Sequence, residues 1–178
     1  MSAIITVCEK NGVSGVVSSL VNNNIRYCTS DAFNPGTQYT IPNPTSGIQR
    51  SYWKSICLAI SGTYTQISNI RLYIMDLVWS NINIYIGSPT LTTAQYSIAT
   101  GTPSVSGNAM VGSHPNITSR TSLFSYTSSN TFLVDSSTYT YSPSVIYTKH
   151  VVLQMEVLPG VSNGPIAAKN LTWIYDEV

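Results

Sequence analysis

Charge is scarce in this chain. Of 178 residues only 8% are Asp, Glu, Lys or Arg, against roughly 25% in an ordinary soluble domain. The formal net charge is +1, and the cations are scattered from Lys10 to Lys169 without forming a basic stripe. Binding a phosphate backbone or an anionic membrane calls for clustered Lys and Arg, so neither is an expected partner. Cysteine is sparse too. Cys8, Cys28 and Cys57 are odd in number and show no CxxC spacing, which argues against a disulfide framework or zinc site and predicts buried thiols. Long apolar runs are also lacking, and the longest falls far below the ~20 residues of a membrane helix. Ala3 to Val7 is too short for a signal-peptide core, and Glu9 and Lys10 follow it at once, so synthesis in a host cytoplasm without a signal peptide is expected.

Catalytic groups are equally thin. The histidines are His114, before a proline in a loop, and His150, at the start of a strand pattern. A nucleophilic triad needs a histidine held by a carboxylate, and no G-x-S-x-G occurs. Asp76 and Glu156 are the pair a glycosidase could use, but Asp76 suits a turn and Glu156 a solvent-facing strand position. Asp176-Glu177 is too small an acidic cluster for calcium. Trp53, Trp79 and Trp173 can stack sugars, although packing is the commoner use of tryptophan. Asn116-Ile117-Thr118 and Asn170-Leu171-Thr172 match the glycosylation pattern, which has no use without secretion. The expectation is therefore no enzyme, with no catalytic, cofactor-binding or metal-ligating residue.

What the chain does have is strand sequence. Hydrophobic residues make up 43%, and Tyr alone occurs 12 times. Ile70, Leu72 and Ile74 alternate with Asn69, Arg71 and Tyr73, and Ile82, Ile84 and Ile86 with Asn81, Asn83 and Tyr85. A period of two puts each apolar set on one face of a strand. The short link between the two runs predicts a hairpin-like connection. Ser51 to Thr65 alternates Ile56, Leu58 and Ile60 with Cys57 and Ala59, as a strand buried on both faces would. Gly62, near its end, suits a bulge or a close approach of backbones. Ala3 to Val7, Ile25 to Thr29, Leu91 to Thr100, Ser122 to Ser129, Thr131 to Val134, Thr138 to Tyr141, Ile146 to Val157 and Ala167 to Tyr175 read as further strands. Residues 12–24 are compatible with a short helix or an extended N-terminal arm.

Two Pro/Gly-rich excursions, 30–50 and 101–120, read as long loops lying on the domain or on a neighbour. The whole predicts an all-β chain, with residues 1–178 forming a single β-sandwich domain with jelly-roll or Greek-key connections. Its expected core is Ile70, Leu72, Ile74, Ile82, Ile84, Val151, Leu153 and Met155.

Two segments together carry a family resemblance. Gly62-Thr63-Tyr64-Thr65-Gln66-Ile67-Ser68-Asn69-Ile70-Arg71-Leu72-Tyr73 is similar to a G-x-(Y/F)-x-x-I-x-N-(I/L)-R-(L/F)-(Y/W) strand. Val151 to Val157, a Gly/Pro loop and Leu171 to Glu177 resemble that strand's C-terminal companion. The pairing resembles small virion structural proteins of tailed bacteriophages and tailed archaeal viruses. It implies a non-enzymatic subunit located in the virion, forming a symmetric homo-oligomer and contacting other virion proteins. Capsid decoration and a neck or tail position are both compatible with it. The alternative is a carbohydrate-binding β-sandwich of a fibre or adhesin. Low charge agrees with assembly, because little electrostatic repulsion keeps copies apart.

The cysteine arithmetic makes a first prediction. Intact-mass analysis of the denatured chain, alkylated with and without reductant, should show three modified thiols either way; a bridged pair would contradict it.

Overall fold

β-branched and aromatic residues in short alternating runs, cut by Gly, Pro, Asn and Ser, favour strands joined by turns. The computed structural model describes residues 2–20, 24–33, 35, 37–75, 79–162 and 168–178. Among them the strands are β1 (Ala3–Asn11), β2 (Val16–Ser19), β3 (Gln49–Arg50), β4 (Lys54–Gly62), β5 (Gln66–Ile74), β6 (Ile82–Ser88), β7 (Gly101–Thr102), β8 (Ser106–Gly107), β9 (Ser119–Ser122), β10 (Phe132–Asp135), β11 (Tyr139–Thr140), β12 (Ile146–Tyr147), β13 (Val151–Val157) and β14 (Leu171–Glu177).

The larger sheet runs β2-β1-β4-β13-β6-β9, with β12 also on β4 and β3 also on β13. The smaller is centred on β5, with β14 along one side and β10 and β11 along the other. β7 and β8 form a separate two-stranded hairpin. The main core lies between the two sheets. Ile56, Leu58, Ile60, Ile84, Val151, Leu153 and Met155 of the larger sheet pack with Ile67, Ile70, Leu72 and Ile74 of the smaller. All eight expected core residues are buried. The chain is thus an all-β, multi-sheet single domain. Neither sheet closes into a barrel among the described residues, and the strand order is not specifically that of a jelly roll or Greek key.

The two isoleucine-rich runs do not pair as a hairpin. β5 belongs to the smaller sheet and β6 to the larger, so their apolar stripes face each other across the core. Period-two patterning fixes which face is apolar and is silent on whether two strands are bonded or opposed. Within β5 the inward phase jumps from Ile67 to Ile70, because Asn69 at φ 55° makes a bulge and the β14 register shifts there.

Residues 12–24 also differ from expectation. β1 continues through Asn11, Gly12 and Gly15 turn the chain with positive φ, and Val16–Ser19 pairs back onto β1. The β-branched pair Val16-Val17 makes a return strand where spacing allowed a helix or an arm; residues 21–23 lie outside the described set. Ile25 to Thr29 forms no strand, and Leu91 to Thr100 supplies only a single bridge, Leu91 to His150, and a 3-10 turn. Residues 146–157 are interrupted at Thr148 to His150, between β12 and β13.

Side chains repair the irregular ladder. The Leu58 amide donates to Thr148 Oγ1 at 3.1 Å, and the Met155 amide to Ser51 Oγ at 3.0 Å. Gln154, fully buried, donates through Nε2 to the Ser51 and Asn108 carbonyls and accepts from the Met110 amide at 2.9 Å. This fastens the excursion 101–117 to the outer face of the larger sheet. Gly62 is where β4 meets the start of β1: a Cβ there would stand 3.1 Å from the Ile4 nitrogen and the Ser2 oxygen.

Gln154→Ala strands two buried backbone groups, the Ser51 carbonyl and the Met110 amide, each worth about 1–3 kcal/mol, and frees the part-buried Asn108 carbonyl. Urea denaturation should show a loss of at least about 2 kcal/mol, whereas Ile4→Ala, at an exposed site, should stay within about 0.5 kcal/mol.

Candidate interaction surface

Alternation decides what the outer face of the larger sheet carries. In β1, Ile5 and Val7 pack into the core, so Ile4, Thr6, Cys8 and Lys10 project the other way. The register places Ile4 opposite Ser61, Thr6 opposite Ala59, Cys8 opposite Cys57 and Lys10 opposite Ser55. On the far side of β4, Ala59 faces Tyr147.

One part of this face is roofed. Leu91, Ala99, Met110 and Ile117, from the excursion after β6, pack on Trp53 and Val152 to form a second core. His114 lies in this roof, edge-on to Trp53 at 5.5 Å, and its Nδ1 accepts from the Asn116 amide. The other part is bare. Ile4 is 61% exposed, Val145 50% and Tyr147 41%, around a buried Ala59. With Thr6 and Ser61 these residues form an uncharged patch across three neighbouring strands.

The charges, meanwhile, are turned inward. Glu9 and Lys54 pair at 2.9 Å with almost no exposure, and Lys54 also donates to the Ala32 carbonyl. Burial raises the Glu9 pKa, and the Lys54 ammonium opposes that shift. Asp31 accepts from the Gly12 amide and the Tyr96 hydroxyl, and its pKa is likewise raised by burial. Asp135 accepts from Tyr139, Ser137 and Lys149; its pKa is lowered, the hydrogen bonds outweighing its burial. Glu156 does not face solvent as its strand position suggested. It is 2% exposed and held by Arg50 and Arg120, because β9 and the roof cover the outer face of β13. The Arg120 guanidinium also stacks on the Tyr85 ring at 3.9 Å.

Among the described residues the candidate catalytic groups are not brought together. Asp76 lies outside the described residues. His114 and His150 are both buried, and neither has a carboxylate partner among the described contacts. Among the described residues no group of three His, Cys, Asp or Glu is placed to hold a metal ion. Cys8, Cys28 and Cys57 are buried free thiols, and burial raises the pKa of each, Cys57 to about 12. Trp53 is core, and Trp79 and Trp173 are half-buried between the sheets. The bare apolar patch can be read from sequence only once the β1–β4–β12 register is known. Comparison with family models, with curated proteins and with solved structures finds no match to this chain.

His150 makes a pH prediction. Its ring is buried, neither nitrogen makes a well-formed hydrogen bond, and burial, with Lys10 nearby, lowers its pKa from 6.5 to about 4. Between those values the unfolded chain takes up a proton that the folded chain refuses, so stability is lost as pH falls. Chemical denaturation from pH 7.5 down to about 4.5 should show a steeper loss in the wild type than in His150→Phe. Glu9 and Asp31 titrate in both proteins and cancel in the difference; parallel curves would contradict the assignment.

Proposed function

We propose that this chain is a structural subunit of a tailed-virus particle, working through protein–protein contacts with a second copy of itself and with other virion proteins. The observation that carries the reading is the bare, uncharged patch of Ile4, Thr6, Ser61, Val145 and Tyr147. An apolar patch without charges on a regular sheet face complements its own two-fold copy, where identical charges would repel. The outer edge of β14 adds a second contact mode: among the described residues β14 pairs only with β5, and an unpaired edge can accept a strand from a neighbour. The resemblance of Gly62 to Tyr73 and of Val151 to Glu177 supplies the virion assignment, as capsid decoration or as a neck or tail part. The β-sandwich reading, with Greek-key or jelly-roll descent, belongs to the same proposal. It is supported by β4 and β13, which meet at the centre of one sheet although far apart in the chain. The carbohydrate-binding alternative would use exposed Tyr and Trp; Tyr141 and Tyr147 are exposed, but Trp53 is buried and Trp79 and Trp173 are half-buried.

Light scattering tests this directly. The chain should be dimeric or larger at micromolar concentration, and the size should change little between low and high salt, because few charges contribute. Ile4→Glu with Tyr147→Glu should give a monomer whose melting temperature is close to that of the wild type. A wild type that stays monomeric at high concentration and binds no virion component would overturn the assembly reading.

A further inference from the structure

The core face of the larger sheet changes character at one end of β1 and β4. Residues two apart in a strand share a face. Ile5 and Val7 therefore lead along that face to Glu9 and Asn11, and Ile60, Leu58 and Ile56 lead to Lys54. The register sets Glu9 opposite Ile56 and Lys10 opposite Ser55. The next residues along the two strands, Asn11 and Lys54, thus stand across from each other, where facing Cβ atoms are about 4.5–5.5 Å apart. An amine, a carboxyl and a carboxamide meet at this end of the sheet, and all three residues are buried.

Their polar atoms are incompletely used. Lys54 Nζ donates to Glu9 Oε1 at 2.9 Å and to the Ala32 carbonyl at 3.0 Å. The second carboxyl oxygen, Glu9 Oε2, and the carboxamide nitrogen, Asn11 Nδ2, are buried and make no well-formed hydrogen bond. Burial raises the Glu9 pKa, and the Lys54 and Asn11 side chains beside it oppose that rise. The carboxyl is thus in reach of both the amine and the carboxamide.

We propose that Lys54 and Asn11 join in an intramolecular side-chain amide, with Glu9 carrying the proton, so that β1 and β4 become covalently bridged. The step balances within these three residues. The Lys54 ammonium passes a proton to Glu9, which burial favours because the pair becomes neutral. The freed amine attacks Asn11 Cγ, and the Nζ–Cγ bond forms. The Cγ–Nδ2 bond then breaks, and Nδ2 takes a second proton from Nζ and leaves as ammonia. Glu9 ends as a neutral acid beside the new amide, so a buried ion pair is exchanged for uncharged groups. Facing strands hold amine and carboxamide at high effective concentration, and burial keeps out water that would compete for Cγ. The rival attack on Cγ, by the Gly12 nitrogen, is hindered because the Gly12 amide donates to Asp31 at 2.8 Å. The inference goes beyond the assembly reading and does not depend on it.

Mass spectrometry of the full chain, denatured after folding, tests the bridge. Protein kept folded at neutral pH should weigh less than its sequence by one ammonia. Trypsin should then release Asn11 to Arg26 joined to Ser51 to Arg71, uncut at Lys54. Lys54→Met and Asn11→Ala should keep the full sequence mass. Glu9→Gln, which keeps the shape but cannot carry the proton, should bridge at least about a hundredfold more slowly. The wild type alone decides the outcome if a variant fails to fold. A folded wild type that keeps its full sequence mass on prolonged incubation overturns the proposal. So does loss of ammonia with Lys54 still cut by trypsin, which marks a cyclic imide at Asn11-Gly12. A bridge that forms in Glu9→Gln at the wild-type rate overturns the role of Glu9 and the proposal with it.

Discussion

Two strands buried on both faces set the terms for the rest of the molecule. Every residue from Lys54 to Ile60 in β4 and from Val151 to Val157 in β13 is buried or nearly so. A sheet whose centre is dry on both sides needs a cover on each side, and every polar group on those strands needs a partner brought from elsewhere. Lys54 takes Glu9 and Ala32, Gln154 takes Ser51, Asn108 and Met110, and Glu156 takes Arg50 and Arg120. The partners come from five stretches: Glu9 in β1, Ala32 before β3, Arg50 and Ser51 at β3, Asn108 and Met110 in the roof, and Arg120 in β9. The polar residues of the central strands thus tie down β1, the segment before β3, the roof and β9. A buried pair such as Glu9–Lys54 contributes little net stability, but losing one member leaves a buried charge at a cost of about 3–5 kcal/mol.

The same economy explains the surface. Five cations (Arg50, Lys54, Arg71, Arg120 and Lys149) and four acids (Glu9, Asp135, Glu156 and Asp176) already meet in ion pairs. The chain has eight cations and seven acids in all, and of those paired, Lys54, Glu9, Asp135 and Glu156 are withdrawn from solvent. Tyr, Thr and Ser hydroxyls and aliphatic side chains therefore make up much of what is exposed. Such a surface offers little charge repulsion to keep copies of the chain apart.

How much of this the amino acids declare depends on whether the signal is local. The alternation of Ile70, Leu72 and Ile74 and of Val151, Leu153 and Met155 is local, and it gives the core correctly. The double burial of β4 is visible in Cys57 and Ala59 between Ile56, Leu58 and Ile60. The opposition of β5 and β6 is not visible, since the same pattern serves a bonded neighbour and a facing strand. Glu156 misleads because its cover arrives from Arg120 and Arg50, distant in sequence. Gly12, Gly15 and the Val16-Val17 pair do signal a hairpin, but helical spacing of Val16, Val17, Leu20 and Val21 competes with that signal. The bare patch depends on register across β1, β4 and β12, and the meeting of Asn11 with Lys54 on register across β1 and β4; neither leaves a mark in any one segment.

The strand order also governs how such a chain comes into being. β4 is flanked by β1, made at the start, and by β13, whose last residue is Val157, while β5 waits for β14 at Leu171–Glu177. Neither sheet has its centre closed until β13 and β14 have been made. Contacts of such long sequence separation form slowly because loop closure precedes any reward. A chain emerging from the ribosome would thus display the Ile56–Ile60 and Ile70–Ile74 stripes incompletely covered until β13 and β14 follow. Until those distant strands meet, the isoleucine stripes are open to any strand nearby, including the stripes of a sister chain on the same message.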